Sequence, residues 1–99
     1  MTTIYNTYTQ FLDSGAGETE LHEIKGRILA ILASTSESTI QTVIFLDKDD
    51  QDEDTLFKLC VSNSQPAYIE FQGARVKPKF TRGLSVNPAN ARVFVVTEI

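Results

Sequence analysis

Residues 20–46 read ELHEIKGRILAILASTSESTIQTVIFL, and the fold of the chain turns on them. In the first half Ile24, Gly26, Ile28, Ala30 and Leu32 are apolar or small and alternate with Glu23, Lys25 and Arg27, the two-residue period of a half-buried strand. From Leu29 onward the odd positions turn apolar as well. The second half repeats the pattern, with Ile40, Thr42, Ile44 and Leu46 on one face and Val43 and Phe45 on the other. Ser34, Thr35, Ser36, Glu37 and Ser38 separate the halves, so the pattern predicts an antiparallel hairpin pairing Leu32 with Ile40, Ala30 with Thr42 and Ile28 with Ile44. A sandwich core accounts for one apolar face. The second, formed by Leu29, Ile31, Val43 and Phe45, needs a cover from another segment, a subunit or a partner, and these four are the expected oligomer contact.

At 99 residues the chain has room for one domain, divided here into an N-terminal arm over 1–17 and a β-sandwich over 18–99. The arm carries Ile4, Tyr5, Tyr8, Phe11 and Leu12 among Thr, Asn, Ser and Gly, and ends in Ser14-Gly15-Ala16-Gly17. It reads either as an edge strand folded onto its own domain or as an extended arm whose five apolar residues dock on a neighbour. Tyr and Phe bury large area with few rotatable bonds, which makes them efficient interface anchors.

The remaining segments continue the strand pattern. Thr55 to Val61 alternates, with Phe57, Leu59 and Val61 on one side; after the turn Ser62 to Pro66, Ala67, Ile69 and Phe71 oppose Tyr68 and Glu70, and the two segments are expected to pair as a hairpin. Arg75 to Phe80 reads as a basic edge strand, since Pro78 cannot donate to a ladder; charge and proline there block sheet-to-sheet aggregation, in preference to a nucleic-acid surface, because no aromatics for stacking accompany the cations. Leu84 to Val86 is a short strand, and Arg92 to Ile99 closes the chain around Val93-Phe94-Val95-Val96, a run that implies cover on both faces. With no sustained helical period, the expectation is an all-β, antiparallel sandwich of seven or eight strands, jelly-roll-like ahead of immunoglobulin-like.

Charge is segregated. Asp47 to Asp54 holds six acids and one lysine, while 72–96 has no acid and carries Arg75, Lys77, Lys79, Arg82 and Arg92. Such separation serves steering or contact with a complementary surface more often than catalysis. The acidic stretch lacks the glycine and terminal glutamate of an EF-hand loop and reads as a solvated strand connection. One histidine, His22, and one cysteine, Cys60, fall short of a zinc site, and no orienting group or oxyanion hole makes them a nucleophilic pair. No catalytic residue, metal site or cofactor is expected. The N-terminus has no basic region followed by an apolar run, and no stretch is long enough for a membrane span, so a membrane is not expected as a partner.

The strand Leu21-His22-Glu23-Ile24-Lys25-Gly26-Arg27-Ile28, a second strand running into an acidic loop, and the ending Phe80-Thr81-Arg82-Gly83-Leu84-Ser85-Val86 followed by Asn90 to Glu98 resemble the small β-sandwich head decoration, or cement, proteins of tailed bacteriophages. The Phe-Thr-x-Gly-Leu-x-Val piece before a β-branched last strand is the strongest likeness. The resemblance implies a protein without catalysis that assembles in the host cytoplasm, binds the major capsid protein on the capsid exterior, commonly as a trimer, and reinforces contacts between coat subunits. The alternatives are a carbohydrate- or calcium-binding accessory module of similar fold, with Tyr68 as the exposed aromatic, another phage component of tail or neck, and an acidic mimic of nucleic acid.

Overall fold

A computed structural model describes residues 6–71 and 77–99. Among them are nine strands and no helix: β1 (Thr7–Leu12), β2 (Thr19–His22), β3 (Gly26–Ser34), β4 (Gln41–Lys48), β5 (Glu53–Val61), β6 (Ala67–Glu70), β7 (Lys79–Phe80), β8 (Leu84–Asn87) and β9 (Arg92–Glu98). They form two antiparallel sheets. Sheet I runs β1-β9-β3-β6, with β7 beside β3, and sheet II runs β2-β8-β4-β5. Ile28, Ile31, Ala33, Val93 and Val95 from sheet I share one buried cluster with Val43, Phe45, Leu84 and Val86 from sheet II, a sandwich-like arrangement.

The expected hairpin over residues 20–46 is not formed. β3 pairs with β9, β6 and β7, whereas β4 pairs with β5 and β8, so residues 35–40 carry the chain from one sheet to the other. The physical reason lies in the apolar faces. Side by side in one sheet, the two strands would present Ile31, Val43 and Phe45 to the same side and leave them in need of a second layer; in opposite sheets they supply each other's cover. The crossing is pinned by the Thr35 hydroxyl, which donates to the Asn90 carbonyl at 2.6 Å and accepts from the Glu37 N–H at 3.1 Å. The expected pairing of β5 with β6 fails in the same way: β6 lies in sheet I, and the turn between them closes on a Ser62–Gln65 bridge. The hairpin that does form joins β4 to β5 through the acidic stretch. There the Asp49 carboxylate accepts the N–H groups of Gln51 and Asp52 at 2.8 and 2.7 Å, giving the turn its shape.

A bulge between Ile28 and Ala30 decides which side of β3 faces inward. One extra residue moves the buried series from the even to the odd positions, so Ile28, Leu29, Ile31 and Ala33 are buried and Leu32 is exposed. The four residues expected at an oligomer contact, Leu29, Ile31, Val43 and Phe45, are therefore core residues, covered by the chain itself. A corresponding correction holds for β9: Val93, Val95 and Thr97 are buried, but Phe94 is exposed, so this strand is covered on one face only.

β1 pairs with β9 over its whole length, from Thr7 opposite Glu98 to Leu12 opposite Val93, and Leu12 is buried. Residues 7–12 are thus an edge strand of the domain. Removing residues 1–17 is expected to lower the melting temperature by at least about 10 °C, because the β1 ladder and the Leu12 side chain are lost together; a truncated chain that melts within a few degrees of the full chain, followed by circular dichroism, would contradict this placement.

Candidate partner-binding face

The register of sheet I aligns side chains across the strands on its outer surface. Phe11 on β1 lies opposite Phe94 on β9, Phe94 opposite Leu32 on β3, and Leu32 opposite Tyr68 on β6. All four point to solvent, with fractional exposures of 49, 43, 43 and 64% respectively. Strand spacing makes this row about 14 Å long. Phe11 and Phe94 touch with ring centroids 4.7 Å apart and planes tilted by 39°. The Tyr68 hydroxyl donates to Glu70 at 3.2 Å, which fixes the far end of the row. Single exposed apolar residues are ordinary; an aligned row of two phenylalanines, a leucine and a tyrosine on a rigid sheet is the kind of patch that marks a contact site.

The same register defines the flanks. On one side run Thr9, Val96, Ala30 and Glu70, and on the other Ser34 follows Arg92, which pairs with Asp13 at 3.6 Å. Beyond the first flank Arg27 and Glu98 lie opposite each other, 3.8 Å apart. Here the end of the sheet opens into a hollow of about 410 Å³ with Lys25, Arg27 and Lys79 around Gly26, Phe80 and Ile99. On the sheet II side of the same end, Glu20, Glu23, Asp49 and Asp50 gather around Lys48 and Arg82. The charge segregation along the chain is thus only partly kept in space: Lys79 lies at the sheet I hollow, whereas Arg82 sits among the acids and pairs with Asp54, and Arg92 lies at the other end of β9.

The residues expected to bind a partner are divided by the structure. Phe11 belongs to the row. Tyr8 is exposed but turns its ring to the edge, where it meets His22 edge-on at 5.4 Å; Leu12 is in the core; Ile4 and Tyr5 lie outside the described residues, as do Arg75 and Val76 of the expected basic strand. Leu32, Phe94 and Tyr68 complete the face. Of these only Tyr68 stood out in the sequence, because alternation alone does not say which side of an all-apolar strand is outward.

His22 and Cys60 are held apart. They sit on β2 and β5, the two edges of sheet II, and Cys60 is exposed while His22 is buried. His22 Nε2 shares a hydrogen bond of 2.7 Å with the Thr97 hydroxyl, and the imidazole stacks on Phe80 at 5.7 Å. Burial lowers its pKa, so the ring is neutral and acts as a polar link between the sheets. Two charges flanking the β4–β5 turn are paired: Asp54 with Arg82 and Lys48 with Glu18, each at 2.6 Å. Among the described residues no group of three or more His, Cys, Asp or Glu could hold a metal ion.

No protein family, no curated protein and no solved structure matches this chain.

Proposed function

We propose that this chain is a non-enzymatic structural protein of a tailed-phage virion, which reinforces the capsid from outside by protein–protein contacts and uses the outer face of sheet I to enter that assembly. The observation that carries this reading is the aligned row of Phe11, Phe94, Leu32 and Tyr68, an exposed apolar surface across four paired strands and of the composition found at the centres of interfaces. The strand order adds support. With the two-residue β7 set aside, the sheets run first-eighth-third-sixth and second-seventh-fourth-fifth, and all but one of the connections cross between sheets. Such wrapping supports a jelly roll, the finer form of the fold put forward here and a recurrent one in viral shells. The likeness to head decoration proteins in the segments 21–28 and 80–98 points the same way, with the major capsid protein as partner.

Co-sedimentation with empty phage heads assembled without this chain tests the proposal. The wild-type protein is expected to saturate the heads, and Phe94→Ser with Tyr68→Ser to weaken its association at least tenfold while leaving the far-ultraviolet spectrum unchanged. Full occupancy by the double variant, or no binding by the wild type, would refute it. The same row also supports a second reading, a glycan-binding module, since sugars stack on aromatic rings. The 39° tilt between Phe11 and Phe94 makes a ridge rather than the flat platform that a sugar face needs, so the structural reading is the better supported.

A further inference from the structure

We infer that the outer face of sheet I takes a second copy of this chain, packed face to face about a two-fold axis that runs along the strands between β3 and β9. The inference rests on the reading of this face as a protein-contact surface and names its occupant in the free protein, a weakly held second copy that the capsid protein displaces on binding.

The register of sheet I sets the position of the axis. A two-fold axis in this position exchanges β9 with β3 and β1 with β6, so the row reverses across the interface. Phe11 of one copy then faces Tyr68 of the second, and Phe94 faces Leu32. In the first flank Val96 faces Ala30, and the Thr9 hydroxyl faces the Glu70 carboxylate. One row further on, Glu98 faces Arg27. Every apolar side chain of the row and first flank meets an apolar one, Glu70 meets a donor, Glu98 an opposite charge, and in the other flank Arg92 meets the Ser34 hydroxyl, an acceptor. The other simple choice, an axis along the row itself, exchanges the two flanks and lays Arg92 over Val96, burying a charge against a methyl surface. The register thus distinguishes between the two arrangements.

The area is adequate for a weak pair. A buried aromatic side chain covers 150–250 Å², so the four residues at their observed exposures offer roughly 400 Å² per copy, and about 600 Å² with Val96, Ala30 and the stems of Glu70 and Arg92. Two copies bury about 1,200 Å², the lower limit of specific interfaces. A dimer that dissociates on dilution is the expected state, with the outermost rows diverging as twisted sheets do when they pack aligned.

Cross-linking reads the axis directly. Phe11 and Tyr68 stand three strand spacings apart, about 14 Å, twice the reach of a disulfide, so cysteines at these two positions cannot bond within one chain. In a Cys60→Ser background, Phe11→Cys with Tyr68→Cys is expected to give a covalent dimer under mild oxidation, whereas either single variant is not. Sedimentation of the unmodified protein should show a concentration-dependent dimer, weakened about a hundredfold by Phe94→Glu, which sets two carboxylates into the shared row. Linkage by Phe11→Cys alone, a trimer without the 11–68 link, or a monomer at millimolar concentration would overturn the inference. The two readings fail separately. A monomer whose Phe94 and Tyr68 variant still loses head binding removes the second copy and leaves the virion function; a dimer that ignores phage heads does the reverse.

Discussion

Phe45→Ala is expected to cost about 3–5 kcal/mol, a large share of the roughly 5–15 kcal/mol that holds a domain of this size folded. Phe45 is completely buried, lies opposite Phe57 on β5 and Val86 on β8, and stacks on Phe57 at 4.6 Å with only 18° between the planes. Phe57 in turn meets Phe71 at 6.4 Å, just beyond the end of β6 in the opposite sheet. Removing the first ring therefore opens a cavity and also deprives the others of the surface against which they pack. Relaxation cannot close the gap, because β4 is held by strands on both sides. Urea denaturation measures the loss directly. Phe45→Leu, which restores most of the volume, should recover more than half of it, and a loss below about 1.5 kcal/mol for the alanine variant would mean that the two sheets are not held together here.

Asp47→Ala is expected to cost about 2–4 kcal/mol and to change how the protein responds to acid. The carboxylate is buried at the end of β4, where it accepts the Thr81 N–H at 2.9 Å, the Thr81 hydroxyl at 3.0 Å and the Arg82 N–H at 2.8 Å. It fixes the turn that leads into β8. Gly83 in that turn has no room for a side chain, since a Cβ would lie 2.6 Å from the His22 carbonyl and 3.0 Å from that of Lys48, so the backbone cannot shift to find other partners. Burial by itself raises the pKa of Asp47, but the donated bonds from Thr81, Arg82 and Gly83 outweigh it and hold the group below the usual carboxylate range. The folded pKa is thus depressed. The stabilisation is complete above about pH 4, where the unfolded chain ionises, and is lost as pH falls toward the folded value.

His22 acts earlier on the same titration. Its pKa is also lowered in the fold, so stability begins to fall as pH drops below about 6.5, where the unfolded imidazole takes up a proton that the buried one refuses. Urea midpoints between pH 7 and pH 2.5 should therefore show two descending limbs in the wild-type protein. Asp47→Asn should keep the upper limb and flatten the lower; an unchanged lower limb would assign the acid sensitivity to other carboxylates.

Much of the fold was legible because alternation reports burial directly. The strands over 26–34, 41–48, 53–61 and 92–98 are all present as alternating or apolar runs, and the turn residues between them fall where the chain reverses. Partnership was not legible, for a physical reason: a hairpin and a crossing between sheets make the same demand on the sequence, an apolar face on each strand and a polar link. Residues 35–40 could serve either, and only the competition of β9 and β8 for the flanks of β3 and β4 decides. The bulge at Leu29 was hidden as well. Every residue from Ile28 to Ala33 is apolar, so a shift of one position leaves no mark in composition. That shift converts Leu32 from a core residue into part of the exposed row, and the candidate face moves from Leu29, Ile31, Val43 and Phe45, which are buried, to the outer side of sheet I.

The position of β9 has a consequence for how the protein is made. It leaves the ribosome after the other eight described strands, yet it lies between β1 and β3, with Thr7 opposite Glu98 on one side and Arg27 opposite the same residue on the other. Until it arrives the first and third strands have nothing to join them, and sheet I cannot close. The nascent chain must keep the apolar residues of β1 and β3 from sticking to other chains until β9 emerges, after which closure proceeds with the slow rate of folds dominated by distant pairings, about milliseconds to seconds.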